Sequence, residues 1–92
     1  MVKRFEVLYH QDIKGDLAKI NEKLKARIKT AIETRLMTEP QRYGAPLRKT
    51  LKGYWKLRVG DYRIVFRIGR SETTILAILH RKEVYEAVEK RV

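Results

Sequence analysis

The fold is decided by one stretch, residues 54–69, which reads Tyr-Trp-Lys-Leu-Arg-Val-Gly-Asp-Tyr-Arg-Ile-Val-Phe-Arg-Ile-Gly. Apolar and basic residues alternate on both sides of Gly60-Asp61, and strict alternation is typical of a half-buried strand. Two alternating runs joined by a Gly-Asp pair predict a β-hairpin with a tight turn, in which Gly60 adopts a positive φ.

The turn fixes which side chains face each other across the hairpin. The predicted pairs are Trp55 with Phe66, Lys56 with Val65, Leu57 with Ile64, Arg58 with Arg63, and Val59 with Tyr62. One face then carries Trp55, Leu57, Val59, Tyr62, Ile64, Phe66 and Ile68. The opposite face, which we call the basic face, carries Tyr54, Lys56, Arg58, Arg63 and Arg67.

Folding alone does not explain the pairing of Arg58 with Arg63. Like charges directly opposite each other destabilise a sheet by about 0.2–1 kcal/mol. A bound anion would offset that repulsion, because Lys56 and the two arginines could hold a phosphate and stabilise charge that develops on it during a displacement reaction. From the residues alone two interpretations stay open, a phosphate site and a solvated basic strand.

Net charge indicates the class of partner. The 92-residue chain carries a formal net charge of +11, which favours a polyanionic partner such as nucleic acid or an acidic protein. Residues 42–82 contain eleven Lys and Arg but only two acidic residues, so the excess surrounds the hairpin. No predicted helix has the basic, aromatic-anchored character of a membrane-surface helix, so we expect no membrane partner.

Several classes of site are not predicted. The chain has no cysteine and no Gly-rich phosphate loop, and its two histidines, His10 and His80, are too far apart to suggest a metal site. A catalytic triad would depend on Ser71, the only serine, which lies in a predicted turn. We therefore expect no metal and no cofactor.

The length predicts one domain over residues 1–92, and the lack of a long apolar run or signal peptide predicts a cytoplasmic location.

The elements around the hairpin follow from hydrophobic periodicity. We predict, in chain order, a strand over 3–9, helices over 11–20 and 22–37, the hairpin, a strand over 73–79 that is apolar on both faces, and a short, frayed helix over 83–91. Asn21 can cap the second helix, and Pro40 should end it, leaving a loop over 39–46. The predicted fold is α+β, a small, mostly antiparallel β-α-α-β-β-β-α sheet. A helical hairpin packs on its apolar face, and the basic face is open.

Two motifs are similar to those of a known family. They are Leu51-Lys-Gly-Tyr-Trp-Lys-Leu-Arg-Val-Gly-Asp-Tyr-Arg-Ile-Val-Phe66 and Ile78-Leu-His-Arg-Lys-Glu-Val-Tyr85, and they resemble the RelE toxins of bacterial and archaeal toxin–antitoxin pairs. The resemblance covers most of the chain and implies a RelE-like fold with a metal-independent, ribosome-dependent endoribonuclease activity. In that reaction the ribose 2′-oxygen attacks the adjacent phosphate of mRNA in the ribosomal A site. The implied partners are a RelB-like acidic antitoxin, the ribosome and mRNA.

The resemblance assigns catalytic roles to four residues. Lys56 falls on a lysine that activates the 2′-hydroxyl, and Arg63 falls on the arginine that stabilises the charged phosphate. Arg81 falls on the residue that protonates the leaving 5′-oxygen or holds the phosphate. Tyr85 falls on the tyrosine that stacks on a substrate base. Arg58 lies in the same basic stripe and fits a phosphate-binding role.

Three further residues are candidates for substrate binding. His80 is one, because some relatives use histidine as the acid, although it also fits a satisfied histidine at the end of a strand. Tyr54 stands where some RelE enzymes have a second lysine. Either Lys52 or Lys49 replaces that lysine, or Tyr54 stacks on RNA.

Alternatives stay open for single residues and for the function. Tyr85 could instead pack the last helix on the sheet, and Arg81 could be a surface arginine or an antitoxin contact. The related ParE toxins share the fold, lack the nuclease residues and act on DNA gyrase. A non-catalytic basic RNA-binding module would also explain the charge. The joint presence of Lys56, Arg63, Arg81 and Tyr85 favours the nuclease.

Overall fold

A computed structural model describes residues 4–92 as a five-stranded sheet with helices on both faces. The strands are β1 (Glu6–Tyr9), β2 (Ala45–Pro46), β3 (Trp55–Val59), β4 (Tyr62–Ile68) and β5 (Glu72–His80). The α-helices are α1 (Ile13–Ala18), α2 (Glu22–Ala31), α3 (Pro40–Tyr43) and α4 (Val84–Arg91), with a π-helical turn at Ile32–Leu36 and a 3₁₀ turn at Lys49–Leu51. The sheet order is β1-β5-β4-β3-β2, in which β1 is parallel to β5 and the other neighbours are antiparallel. The predicted α+β class with a mostly antiparallel sheet is confirmed.

The hairpin of β3 and β4 has the predicted register. It pairs Trp55 with Phe66 at one end and Val59 with Tyr62 at the other. Gly60 has a φ of +60°, the left-handed conformation that the tight turn requires. The strict alternation of apolar and basic residues was therefore sufficient to place every pair of this hairpin.

The helical hairpin of α1 and α2 covers the apolar face of the sheet. Asn21 caps α2, because its side-chain oxygen accepts a hydrogen bond of 2.8 Å from the backbone N–H of Leu24. The first core cluster joins both layers and includes Ile13, Ile20, Ile28, Ile32, Leu36, Leu57, Val59, Ile64, Phe66, Ile75 and Ile78. Nowhere in residues 4–92 is a helix both long and apolar enough to span a membrane.

The prediction of an open basic face is wrong over part of the sheet. A second core cluster lies there, formed by Leu47, Leu51, Val65, Leu76, Ala77, Leu79, Val84 and Val88. The central strand β5 is apolar on both faces, so its second face also needs cover, which α4 and the segment before β3 supply. The part of the basic face near the hairpin turn stays accessible, as does Arg67 near the other end of β4.

The segment 39–46 is not the loop that the turn residues predict. Pro40–Tyr43 forms the short helix α3, with Pro40 at a first-turn position where its missing N–H is not needed. Ala45–Pro46 forms the edge strand β2. A Cβ on Gly44 would lie 2.6 Å from Cζ of Phe66, so the chain can pass this close to the core only without a side chain. Elements of four and two residues are too short to leave a periodic signal.

The bounds of the other elements differ from the prediction at their ends. β1 begins at Glu6, while residue 3 of the predicted strand lies outside the described residues. α1 is shorter than predicted, and the helix that begins at Glu22 continues to Leu36 through its π-helical turn. The last helix runs from Val84 to Arg91, and Arg91 at its end is bonded to α1. Fraying of this helix stays a prediction.

Candidate active site

The centre of the site is a contact between β3 and α4. Lys56 lies on the basic face of β3, and its Nζ donates a 3.0 Å hydrogen bond to the hydroxyl of Tyr85. The same ammonium lies 5.6 Å from the centroid of the Tyr85 ring, within the range of a cation–π interaction. Val84, which is fully buried beside Tyr85, holds the first turn of α4 on the sheet. The structure thus brings together two of the predicted catalytic residues that are 29 positions apart in the chain.

Two arginines lie at the turn end of the same face, and the backbone of a third is bonded to the turn. Arg58 is opposite Arg63 in the ladder, as predicted. The guanidinium of Arg63 donates to the carbonyls of Gly60 and Tyr62, at 3.1 and 3.0 Å, and so is held at the turn. Arg81 follows the end of β5, where its backbone N–H donates to the carbonyl of Asp61 at 2.8 Å. The backbone of Arg81, directly after β5, is therefore bonded to the turn that joins β3 and β4.

These cations have no acidic partners. Among residues 4–92, every ion pair uses other cations, and none includes Lys56, Arg58, Arg63 or Arg81. A positive cluster without carboxylates creates a local potential that attracts anions. The arrangement is suited to a phosphodiester, because guanidinium groups bind phosphate through directed, charge-assisted hydrogen bonds.

The aromatic ring of Tyr85 adds a different kind of contact. It is 39% exposed although it is bonded to Lys56, so one part of the ring is free to contact a ligand. Exposed aromatic rings beside cations provide stacking surfaces for nucleic-acid bases, worth about 1–3 kcal/mol per base. The site can thus bind both the phosphate and a base of one nucleotide.

His80 does not lie with these residues. It is paired with Tyr62 across β4 and β5, and the two rings meet edge to face with centroids 5.6 Å apart. Its Nδ1 accepts a hydrogen bond of 3.2 Å from the backbone N–H of Lys82. Side chains alternate along a strand, so His80 faces the helical hairpin while Leu79 faces the opposite side. This geometry matches a satisfied histidine at the end of a strand.

Tyr54 and Lys52 lie at the far end of β3 from the turn. Tyr54 is partly buried and packs against the second core cluster, on the same face as Lys56. Lys52 is exposed directly after the 3₁₀ turn. The proposed replacement of a second lysine by Lys52, or stacking of RNA on Tyr54, stays a prediction.

Sequence reasoning missed one strong polar contact, between Asp16 of α1 and Arg91 of α4. Both guanidinium nitrogens of Arg91 donate to the Asp16 carboxylate at 2.8 Å. The hydrogen bonds to Asp16 and its charge raise the pKa of Arg91 above its usual value, although burial acts in the opposite direction. The two residues are 75 positions apart, and no local pattern in the sequence indicates that they meet.

Comparison with known proteins defines the class of the chain as type II toxin–antitoxin toxins of the RelE/ParE superfamily. Residues 7–85 match the family model described as the ParE toxin of the type II toxin–antitoxin system, parDE. This match covers most of the chain, which therefore belongs to that family. The resemblance to RelE/ParE toxins found in the sequence is confirmed.

Relatives with RelE-type names show the same membership. The chain is 34% identical over 83 residues to Toxin RelG of Mycobacterium tuberculosis, which covers 88% of this chain and 95% of that protein. It is 36% identical over 72 residues to Toxin RelE of the same organism, covering 76% of this chain and 74% of the relative. These matches agree with the family model.

Solved structures have the same fold. The toxin–antitoxin complex RelBE2 from Mycobacterium tuberculosis contains a chain with a TM-score of 0.80 and 30% identity, covering 88% of this chain and 95% of that one. The RelB–RelE antitoxin–toxin complex from Methanococcus jannaschii contains a chain with a TM-score of 0.64 and 25% identity, covering 87% and 96%. The predicted RelE-like fold is confirmed.

Proposed function

We propose that this toxin is a ribosome-dependent endoribonuclease that cleaves mRNA in the ribosomal A site without a metal and so inhibits translation in the cytoplasm. The observation that carries the proposal is a group of cations with no acidic partner among residues 4–92: Lys56, Arg58 and Arg63 on one face of the hairpin, and Arg81, whose backbone is bonded to the hairpin turn. Tyr85 lies against Lys56. A purely structural face would gain by pairing some of these charges. A phosphodiester substrate explains why they are left unpaired.

The proposed reaction is an in-line displacement within the RNA. The ribose 2′-oxygen attacks the adjacent phosphorus and the bond to the 5′-oxygen breaks, giving a 2′,3′-cyclic phosphate and a free 5′-hydroxyl. Lys56 activates the 2′-hydroxyl, and Arg63 and Arg58 bind the phosphate and stabilise its developing charge. Arg81 acts at the leaving 5′-oxygen, which takes up one proton as the 2′-oxygen loses one. Tyr85 stacks on a base and orients the nucleotide.

Reconstituted translation of a defined mRNA, followed by mapping of 5′ ends, tests the proposal. We expect cuts within codons, with 5′-hydroxyl ends, only when ribosomes are present. The double variant Arg63→Ala, Arg81→Ala should abolish these cuts. The matched variant Lys14→Ala, Lys19→Ala removes the same charge from exposed positions of the helical hairpin and should cleave normally. Full activity of the first variant would rule out the proposed site.

The match to the ParE family model favours a second candidate, inhibition of DNA gyrase. The two functions make opposite predictions in two assays on one protein preparation. Inhibition of supercoiling by purified gyrase without mRNA cleavage would support a ParE-like toxin. Cleavage without an effect on supercoiling would support the nuclease.

We also propose that a RelB-like acidic antitoxin binds the toxin at the helical hairpin. A cavity of about 380 Å³ opens between α2 and β1 and is lined mainly by apolar side chains, Tyr9, Leu17, Ile28, Ile32, Met37 and Ile78. Its charged lining residues are Lys25, Lys29 and Glu33, so the cations outnumber the single carboxylate. An amphipathic helix with an acidic border fits an apolar groove of this kind. Both solved complexes described above pair a toxin with an antitoxin, and they are named RelBE2 and RelB–RelE. These names support a RelB-like partner.

Charge reversal tests this surface. Lys29→Glu should weaken binding of a cognate RelB-like acidic antitoxin, because it places a negative charge at the rim of the groove. Lys23→Glu makes the same change at an exposed position of α2 outside the cavity and serves as the control. Equal affinities of the two variants, measured by calorimetry, would exclude this groove as the antitoxin site.

A further inference from the structure

The contact between Asp16 and Arg91 is embedded in the backbone of the sheet. Arg91 Nη1 donates to the carbonyl of Leu76 at 3.0 Å as well as to Asp16. The Asp16 carboxylate accepts the backbone N–H of Ile78 at 3.0 Å. The side chains of Asp16 and Arg91 are only 4% and 14% exposed. One ion pair thus satisfies two backbone groups of β5 and connects this central strand to α1 and α4.

The position of these backbone groups explains why a charged pair is buried there. β1 pairs with β5 only from Glu6 opposite Glu72 to Tyr9 opposite Ile75. Beyond Ile75, no strand formed by residues 4–92 lies next to this edge of β5, and buried backbone groups without partners are costly. The ion pair of Asp16 and Arg91 takes the place of the missing strand.

At the C-terminal end of α4 the ion pair acts together with one weaker contact, a 3.3 Å hydrogen bond that the hydroxyl of Thr50 donates to the carboxylate of Glu89. This helix has eight residues, and so short a helix is marginal without tertiary contacts. Val84 and Val88 hold its first and middle turns in the second core cluster. Its last turn is held through Arg91, which also receives a weaker contact of 3.6 Å from Asp12. The neighbouring pair Glu86–Lys90 is exposed on both sides and contributes little.

We propose that Asp16 and Arg91 are positioning residues that hold α4 in place and thereby keep Tyr85 against Lys56. Neither residue touches the substrate in this proposal. Because α4 is a rigid rod with about 1.5 Å of rise per residue, release of its last turn lets the whole helix shift on the two valines. The ring of Tyr85 then moves relative to Lys56. The consequence for catalysis rests on the proposed nuclease function, but the positioning itself does not.

The positioning is measured without any activity assay. We expect nuclear Overhauser contacts between the Tyr85 ring and the Lys56 side chain in the wild type and in Lys90→Ala, and their loss in Arg91→Ala. Hydrogen exchange of the α4 amides should become at least about tenfold faster in Arg91→Ala, since the helix then opens without breaking the ion pair. Lys90→Ala, which removes a cation from the same turn, should exchange like the wild type.

Two outcomes would overturn the positioning role. One is unchanged exchange of α4 in Arg91→Ala, and the other is retention of the contacts between Tyr85 and Lys56. If Arg91→Ala does not fold, Arg91→Lys decides the question with the same two measurements. Lysine keeps the charge but cannot make the bidentate contact, so we expect intermediate exchange and weakened ring contacts.

A double-mutant cycle tests the catalytic consequence. The rate of cleavage on ribosomes at saturation should fall about tenfold to a hundredfold in Arg91→Ala, the range expected for a misplaced group. If Arg91 acts through Tyr85, then Tyr85→Ala should cost nothing further in the Arg91→Ala background. Multiplicative losses would show that Arg91 does not act through the tyrosine. A wild-type protein that cleaves no mRNA would refute the proposed function, while the exchange and ring contacts would still decide the positioning role.

Discussion

The two ends of α4 hold cations in opposite states. At its N-terminal end, Tyr85 meets Lys56, which shares its face of the hairpin with Arg58 and Arg63, and none of these cations has an acidic partner within residues 4–92. At its C-terminal end, Arg91 makes a bidentate contact with a buried carboxylate, that of Asp16. In this strongly basic chain, some arginines form structural ion pairs and others have no acidic partner.

The contrast between paired and unpaired cations separates structural from functional cations in this fold. A buried, fully paired arginine is costly to disrupt, because its removal leaves a charge without a partner in a poorly solvated place. A cluster of like charges without acidic partners repels itself, and a bound anion would offset that repulsion. Mutations at the first kind of site should act on stability, and mutations at the second should act on activity.

The largest expected effect is that of Asp16→Ala. It removes the partner of Arg91 and leaves the N–H of Ile78 without an acceptor. We expect the free energy of unfolding to fall by roughly 3–5 kcal/mol, the range for breaking a buried ion pair from one side. Urea denaturation followed by circular dichroism measures it. A loss below about 1 kcal/mol, the value typical of surface pairs, would show that the Asp16–Arg91 pair is not a structural contact of this kind, and the two ends of α4 would no longer differ in that respect.

The next effect should appear in activity and not in stability. Arg63→Ala removes a guanidinium that is held at the hairpin turn by two carbonyls. We expect single-turnover cleavage to slow by about 10²–10³-fold, as for the loss of one group that stabilises a developing charge. Arg67→Ala, on the same strand and exposed, is the control and should cleave nearly as fast as the wild type. Similar rates for both variants would mean that position along the strand does not matter.

Much of the fold could be predicted from the sequence, because the decisive signals are local. The alternation around Gly60 fixed the register of the hairpin, and the doubly apolar run identified β5 as the central strand. The position of Asn21 between two helical patterns predicted the cap of α2. Each of these signals lies within one element or at its border.

The features that could not be predicted depend on contacts between distant elements. Asp16 and Arg91 belong to separate helices, and only the early end of β1 leaves space for their contact on β5. Cover of the basic face by α4 depends on how the last helix folds back. Likewise, the face on which His80 lies depends on the register of β5 with β4. Sequence patterns within one element carry no information on such relations.

Loss of the Asn21 cap should have a moderate effect that is confined to the helical side. Asn21→Ala removes the acceptor for the N–H of Leu24, and we expect a loss of about 0.5–2 kcal/mol in the free energy of unfolding. The cap lies on the layer opposite Lys56, so the cleavage rate of the folded variant should equal that of the wild type. Asn21→Ser restores a capping oxygen and should recover most of the stability. Slower cleavage by the fully folded Asn21→Ala variant would show that the two faces of the sheet are coupled.

The smallest expected effect is a change in stability, and its sign is the most informative result. Arg58→Ala removes one of two like charges that face each other in the hairpin, and we expect a gain in stability of about 0.2–1 kcal/mol together with slower cleavage. Arg67→Ala is again the matched control, because Arg67 pairs with the uncharged Thr74 and its removal relieves no repulsion. Thermal unfolding at low salt resolves the difference, which should shrink as salt screens the charges. A loss of stability in Arg58→Ala would mean that the arginine has a structural partner, and the unpaired charge would no longer be evidence for a bound phosphate.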